Sequence, residues 1–333
     1  MNLHPKYIFI FFSLIFNLIS HSQDIHWSQF NDNQIFQNPG NSGSFKGDYR
    51  FIANRRNQWK SVTEPFTTTN ISVDKKLKRN AGIGVLFFDD VAGDGKFRTN
   101  EFQLNIGYPF KIFKDTNATF KVGLNLGINH RQVNMDLFTF NNQYNGMYYD
   151  EALPSNENFV NQKNTNFTIG IGSTFNYSFS KLAVEFGTSI FNLNRPNQSF
   201  YNNEIKRDAR LSTFIKTNYP INHLLSVQPS CNIQIQGVYR SLIIGSNIKY
   251  NFSKNHSKYL AFFLGAWLRN KDAAIFNLGV DYQNWFVGLS YDVNLSNLSI
   301  ASNYRGGSEI AIRYIIQQYK PKKITHRICP DYL

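Results

Sequence analysis

Chemistry on a protein chain needs groups that can meet. The residues able to do chemistry here are few and scattered. After the first 22 residues the histidines are His26, His130, His223, His256 and His326. A histidine base needs a nucleophile on one side and an orienting group on the other. The pattern around these five places His130 at the rim of a strand and His223 and His256 in turns, so no triad or dyad assembles and no catalysis is expected. Asp89-Asp90-Val91-Ala92-Gly93-Asp94-Gly95 has the composition of a calcium loop, with carboxylates at Asp89, Asp90 and Asp94. It lacks the distal glutamate of an EF-hand, so the expected element is an ordinary Asp/Gly turn between two strands, with no metal and no cofactor. Cys231 and Cys329 cannot build a disulfide framework and have no metal-ligand spacing. Because Cys231 falls within a strand pattern, both are expected to be free.

Two further groups suit binding better than catalysis. Arg50, Arg56, Arg305 and Glu309 fall near the two ends of the patterned region. If the first and last strands pair, these form an inward ionic cluster at the seam. Phe138, Phe140, Tyr144, Met147, Tyr148, Tyr149 and Phe159 sit amid Asn and Gln in the longest unpatterned stretch. Tyrosine and phenylalanine bury large areas at small entropic cost. Such a stretch is either a contact surface for a partner or a loop that folds into a lumen as a plug.

The elements that must position these residues are strands. From Phe167 to Phe179 large apolar groups stand at 167, 169, 171, 175, 177 and 179, with Thr, Gly, Asn and Ser between them. Alternating side chains point to opposite faces of a strand, so one face is apolar and the other polar. The pattern recurs at 49–60, 66–76, 81–89, 99–110, 118–132, 165–179, 181–192, 205–218, 223–232, 238–251, 257–269, 273–282, 284–293 and 306–317. The links between these fourteen segments alternate in length. Links 77–80, 111–117, 180, 219–222, 252–256 and 283 are brief, whereas 89–98, 133–164, 193–204 and 294–305 are longer. Short turns on one side and long loops on the other, with an even strand number, describe an all-β transmembrane antiparallel outer-membrane barrel.

Face assignment follows from parity. Phe102, Leu104, Ile106 and Tyr108, then Val122, Leu124, Leu126 and Ile128, Leu260, Phe262 and Leu264, and Trp285, Val287, Leu289 and Tyr291 are expected to face lipid. Gln103, Asn105, Lys121, Asn125, Thr168, Asn176, Glu185, Asn247, Lys249 and Asp281 are expected to face a polar lumen. Glycines within strands, as at Gly82, Gly84, Gly123, Gly127, Gly170 and Gly172, permit curvature or close approach of something filling that lumen.

Composition agrees. Mean hydropathy is −0.37, because half of each strand of such a barrel is polar, while 31 Phe and 18 Tyr supply lipid-facing and interfacial rings. The net charge of +13 is spread over turns and inward positions and not gathered in a stripe. Nucleic acid is therefore not an expected partner, and anionic headgroups or an acidic partner surface suit the charge better. Residues 1–22 carry Lys6, the apolar run Tyr7–Ile19 and the end Ser20-His21-Ser22, the pattern of a cleaved export signal. The expected organisation is a signal peptide at 1–22, a non-barrel segment at 23–46 folding into or under the barrel, the barrel at 47–319 and a periplasmic tail at 320–333. No cysteine follows the apolar run, so a lipid anchor is not expected.

Certain strings add a resemblance. Gln23-Asp24-Ile25-His26-Trp27-Ser28-Gln29-Phe30 precedes Asn38-Pro39-Gly40. Then come Gly47-Asp48-Tyr49-Arg50-Phe51-Ile52-Ala53-Asn54-Arg55-Arg56-Asn57-Gln58-Trp59, and near the end Tyr291-Asp292-Val293-Asn294, Arg305-Gly306-Gly307-Ser308-Glu309-Ile310 and Cys329-Pro330. Over essentially the whole chain past residue 22 this set resembles the PorP/SprF family of outer-membrane proteins of the type IX secretion and gliding machinery of Bacteroidetes. The family usually has Asn-Pro-Ala where Asn38-Pro39-Gly40 stands, and Asn-Tyr-Arg-Asn-Gln-Trp where Asn54–Trp59 stands. It often ends Cys-Pro-Arg-Phe where Cys329–Leu333 stands. The resemblance implies an outer-membrane helper barrel that helps export or anchors a secreted adhesin-type cargo through its C-terminal sorting domain, with periplasmic ring components as further partners. A FadL-like channel for hydrophobic solutes, or a scaffold contacting only the periplasmic ring, are the alternatives.

Overall fold

All fourteen alternating segments form strands in a computed structural model that describes residues 24–58, 64–93, 95–110, 117–156, 161–201, 203–253, 259–297, 299–300 and 302–317. Residues 1–22, expected to be an export signal, the tail 320–333, Trp59, Asp94, Phe159, His256, His326 and Cys329 lie outside the described residues. The strands are β1 (Tyr49–Gln58), β2 (Phe66–Lys76), β3 (Gly82–Ala92), β4 (Phe97–Phe110), β5 (Ala118–Gln132), β6 (Lys163–Phe179) and β7 (Leu182–Phe191). They continue as β8 (Arg210–Pro220), β9 (Leu225–Gln236), β10 (Tyr239–Ser253), β11 (Leu260–Arg269), β12 (Ala273–Tyr282), β13 (Trp285–Asn294) and β14 (Arg305–Ile316). Each pairs antiparallel with its sequence neighbours, and β1 pairs with β14 from Tyr49↔Ile316 to Gln58↔Gly307, closing the barrel. Closure satisfies every edge, the condition for β-structure in lipid.

The largest boundary difference is at β8, which begins at Arg210 rather than 205. Residues 205–209 belong to the preceding loop, because Arg207 turns into the lumen there to meet Asp24. β9 in turn runs on to Gln236, up to a tight turn at Gly237.

The two ends of the barrel differ as expected. One end carries the short links, such as 180–181 and 283–284, and the other carries the loops 133–162, 192–209 and 295–304. The long-loop end also has three tight connections, at 93–96, 237–238 and 270–272.

Parity decides what each face meets. Phe102, Leu124, Phe262 and Leu289 are exposed on the outside, whereas Asn105, Asn125, Gln103 and Lys121 are buried inside. The interior is hydrogen-bonded across strands: Asn125 donates to Asn105 (2.8 Å) and Gln103 (3.0 Å), and Asn129 donates to Glu101 (2.8 Å). Cys231 lies on the outer side of β9, opposite the exposed Ile244 and Ile215.

Candidate functional site: the plugged lumen and its mouths

What fills the lumen is the segment before β1, and its course follows from its sequence. Trp27, Phe30, Ile35 and Phe36 are too apolar to hang in water, and all four are buried. Two short turns of helix, Phe30–Asp32 and Gln34–Gln37, aim these side chains at opposite walls. Trp27, Ile35 and Phe36 pack on Leu86 and Phe88 of β3, while Phe30 packs on Ile243, Trp267 and Ile275 of β10–β12. These five wall residues are inward apolar exceptions to the polar lumen, present where the plug presses. Burying each large plug side chain contributes about 1.5–3 kcal/mol.

Asn38-Pro39-Gly40 forms the tightest contact. This segment, with Ser42 after it, lies directly on glycines of β3, β5 and β6. A Cβ on Gly123 would meet Gly40 N at 2.1 Å, one on Gly82 would meet Ser42 O at 2.1 Å, and one on Gly172 would meet Asn38 Oδ1 at 2.4 Å. The glycines of β3 and β5 are thus a groove for backbone-on-backbone packing, and Gly172 of β6 makes room for the Asn38 side chain and the Pro39 ring. The Asn38 side chain locks the turn, donating to Ser173 O (3.0 Å) and Thr188 O (2.9 Å) and accepting from Gly40 N (2.8 Å).

Ion pairs tie down the rest. Near the short-turn end, buried Arg50 grips Asp74 with two hydrogen bonds (2.9 and 2.8 Å) and donates to Asn41 O and to the Gln34 side chain. Asp74 also accepts from Gly43 N. Toward the long-loop end, Asp292 accepts from Arg56 (2.8 Å), Arg269 (3.1 Å) and Ser28 Oγ (2.7 Å). Glu309 accepts from the backbone N–H groups of Ser28 and Gln29. Arg56 reaches further, to the carbonyl of His26 (2.7 Å).

A third clamp holds the start of the plug. Arg207 pairs with Asp24 (2.8 Å) and Glu101 (3.1 Å), and Arg210 lies 3.4 Å from Asp24. Burial alone would raise the Asp24 carboxyl. The Arg207 and Arg210 guanidiniums, with hydrogen bonds from Gln236 and Arg207, outweigh it and hold the group at about 2. Burial, with Arg56 and Arg269 close by, pushes His26 well below the ordinary imidazole range. His26 is therefore neutral at pH 7 and adds no charge between two cavities at this end, of roughly 340 and 280 Å³, that both reach it. A third cavity, roughly 350 Å³, lies in the short-turn half between the plug and β6–β14.

The expected seam cluster is therefore divided. Arg50 and Arg56 stand six residues apart on β1, about 20 Å along the strand, and serve separate networks at opposite ends of the lumen. Arg305 joins neither, being exposed at the start of β14. Gly306 and Gly307 have a packing role: a Cβ on Gly306 would meet Asp292 O at 2.5 Å and one on Gly307 would meet Asn57 O at 2.8 Å, beside the irregularity at Asp292/Val293. Gly47 and Asp48 set the entry to β1. A Gly47 Cβ would meet Ile315 at 2.5 Å, and Asp48 N donates to Ile316 O. Tyr49 carries the Lys75 ammonium over its ring at 4.8 Å. Asn57 accepts from Thr67, and Gln58 lines both long-loop-end cavities.

The aromatic loop stays outside. Met147 is 87% exposed and Tyr148 62%, and Phe138, Tyr144 and Tyr149 are also exposed, with Phe140 half-buried. Of the two readings of this loop, the plug is excluded for its described residues, since residues 24–46 occupy the lumen. Asp89 pairs with Arg98 (2.5 Å) and Asp90 accepts from Thr68 (2.6 Å), so both described carboxylates of the calcium-like string serve cross-strand contacts.

Sequence reasoning missed Asp24, Glu101, Arg207 and Arg269. Asp24 and Arg207 are 183 positions apart, and only closure of the barrel joins them. The inward parity of Glu101 was the available signal, whereas Arg207 fell within the expected strand 205–218 and only the structure places it in a loop.

Comparisons with known proteins agree with this architecture. Among solved structures, the toluene transporter TbuX of Ralstonia pickettii superposes with a TM-score of 0.50 at 10% identity, covering 86% of this chain and 94% of that one. A FadL homologue of Pseudomonas aeruginosa gives 0.50 at 9% identity, covering 85% and 94%. At such identity the likeness is one of fold. No curated protein sequence matches significantly. The model of the family described as type IX secretion system membrane protein PorP/SprF matches residues 19–314. A closed fourteen-strand barrel, plugged by its own Asn38-Pro39-Gly40 segment and matched over nearly its whole length, belongs to the PorP/SprF family of type IX secretion system membrane proteins.

Proposed function

We propose that this barrel binds a secreted, adhesin-type partner through the partner's C-terminal sorting domain, helping to export it or anchoring it at the cell surface. The observation that carries the reading is the exposed aromatic surface of loop 133–162, set above a lumen that its own segment closes. An outer-membrane barrel with both termini inside the cell envelope presents its long loops outward, so this surface faces the space where a secreted partner arrives. Tyr144, Met147, Tyr148 and Tyr149 combine apolar area with hydroxyl groups, the composition of binding hot spots. Their neighbours Asn141, Asn142 and Asn145 supply polar contacts.

Membership in a type IX secretion family supports this choice of partner class. The rival is a conduit for hydrophobic solutes, suggested by the fold shared with FadL-like proteins. The lumen argues against it, because the plug is gripped by buried ion pairs and an apolar solute would leave amides and charges unpaired. The test is co-purification of the sorting domain from a secreted protein encoded beside this one, with wild type and with the triple variant Tyr144→Ser/Met147→Ser/Tyr148→Ser. Retention by wild type and loss in the variant are expected. Equal retention by both, or fatty-acid uptake into liposomes without partner binding, would overturn the reading. Cross-links confined to the short turns would favour a scaffold on the periplasmic ring instead.

A further inference from the structure

The cavity in the short-turn half of the lumen has a chemistry that the plug does not use. Plug residues Asn31 and Asp32 form one side of it. Glu185 and Lys216, register partners on β7 and β8, form a second, and Lys249, Asp281 and Arg313 a third. Three acids thus face three bases. The pairing is loose: Arg313 stands 3.6 Å from Asp32 and 3.7 Å from Asp281. The Lys216 ammonium and the amide oxygens of Asn31 and Asn247 are enclosed yet have no hydrogen-bond partner among the described residues. The Lys216 ammonium lies over the Phe214 ring at 4.6 Å but has no acceptor among the described residues, so the lining offers a cation with open hydrogen-bond donors beside unused acceptors and carboxylates.

A ligand for such a site must supply acceptors and N–H donors together and carry both charges. An apolar solute supplies neither. A sugar supplies hydroxyls but wants aromatic faces, and here Lys249 covers a face of Phe263 (5.1 Å) and Arg313 a face of Phe286 (4.7 Å). A peptide has one N–H and one C=O per residue and, with mixed side chains, charges of both signs. At roughly 350 Å³ the space falls within the range of ligand sites. We infer that this cavity is a binding site for an extended, mixed-charge peptide segment entering from the short-turn end. The Lys216 ammonium meets a peptide carboxylate or carbonyl, and Asp281 and Glu185 meet a basic side chain. The site is separate from the aromatic loop and stands or falls without it.

The test uses full-length protein in detergent and a fluorescein-labelled pentapeptide, Gly-Asn-Lys-Ser-Glu, with a free carboxylate, read by fluorescence polarisation. Saturable binding is expected, displaced by the unlabelled peptide and not by maltotriose or laurate. Lys216→Ala and Asp281→Asn should each weaken it about tenfold, the scale of one charged hydrogen bond. Lys216→Arg should restore it, and Lys75→Ala, which removes the same charge from the outer face, should leave it unchanged. Absence of saturable binding would mean a hydrated vestibule only and overturn the inference. Displacement by maltotriose or laurate, or equal weakening by Lys75→Ala, would do the same.

Discussion

Gly123→Ala should dislodge the plug without unfolding the barrel. The new Cβ would lie 2.1 Å from Gly40 N, 2.4 Å from Pro39 C and 2.7 Å from Gly40 Cα, whereas ordinary contact begins near 3.4 Å. All three neighbours are backbone atoms, so no rotamer change relieves the clash and the turn must retreat by roughly 1.3 Å from its closest contact. A retreat of that size takes the Asn38 bonds to Ser173 O (3.0 Å) and Thr188 O (2.9 Å) beyond hydrogen-bonding range. Each is worth about 1 kcal/mol net, so with the residual strain the seated turn loses about 2–3 kcal/mol. The population with the turn unseated should rise by roughly thirtyfold to a hundred-and-fortyfold. The ladders of β4–β5 and β5–β6 are untouched, because the methyl points into the lumen. The assay is ion conductance in planar bilayers, with protease cleavage within residues 38–43 as a second readout. Gly279→Ala is the control, since its Cβ meets at about 3.0 Å only the side chain of Phe286, which can swing aside. Wild-type conductance and no new cleavage in a folded Gly123→Ala barrel would refute the backbone-on-backbone seat.

Three other outcomes follow from the clamps. Arg56→Met leaves Asp292 with Arg269 and Ser28 as partners but removes the charged bonds to Asp292 and to the His26 carbonyl; it should cost about 1.5–3 kcal/mol and raise protease access to residues 24–33, measured by limited proteolysis. Arg98→Ala removes an exposed pair with Asp89 and should change stability by less than about 1 kcal/mol, measured by urea denaturation. Asp24 is held at about 2, below its ordinary 3.8, so its clamp is fully present above about pH 4 and is lost as the pH falls toward 2. Conductance should therefore rise across that window in wild type, and Asp24→Asn should flatten the rise.

Much of the barrel is legible because alternation is a local property. Phe167–Phe179 declares a strand with one lipid face whatever the rest of the chain does, and β2, β5 and β12 run between the expected residues. Link lengths orient the two ends for the same reason. The site is less legible. Arg50 and Arg56 look alike in the sequence and share the inward face of β1, yet one holds the plug by Asp74 and the other by Asp292, 236 positions away.

The sequence by itself determined the strand number, the face of each residue and the family, since these depend on period-two patterning and on short strings. Tertiary structure alone decided that residues 24–46 run inside rather than under the barrel, that Gly82, Gly123 and Gly172 are their seat, and which charges pair. The physical reason is closure. Register around fourteen strands sets which inward side chains stand across the lumen from one another, and a glycine without a side chain names no partner until another backbone is laid on it.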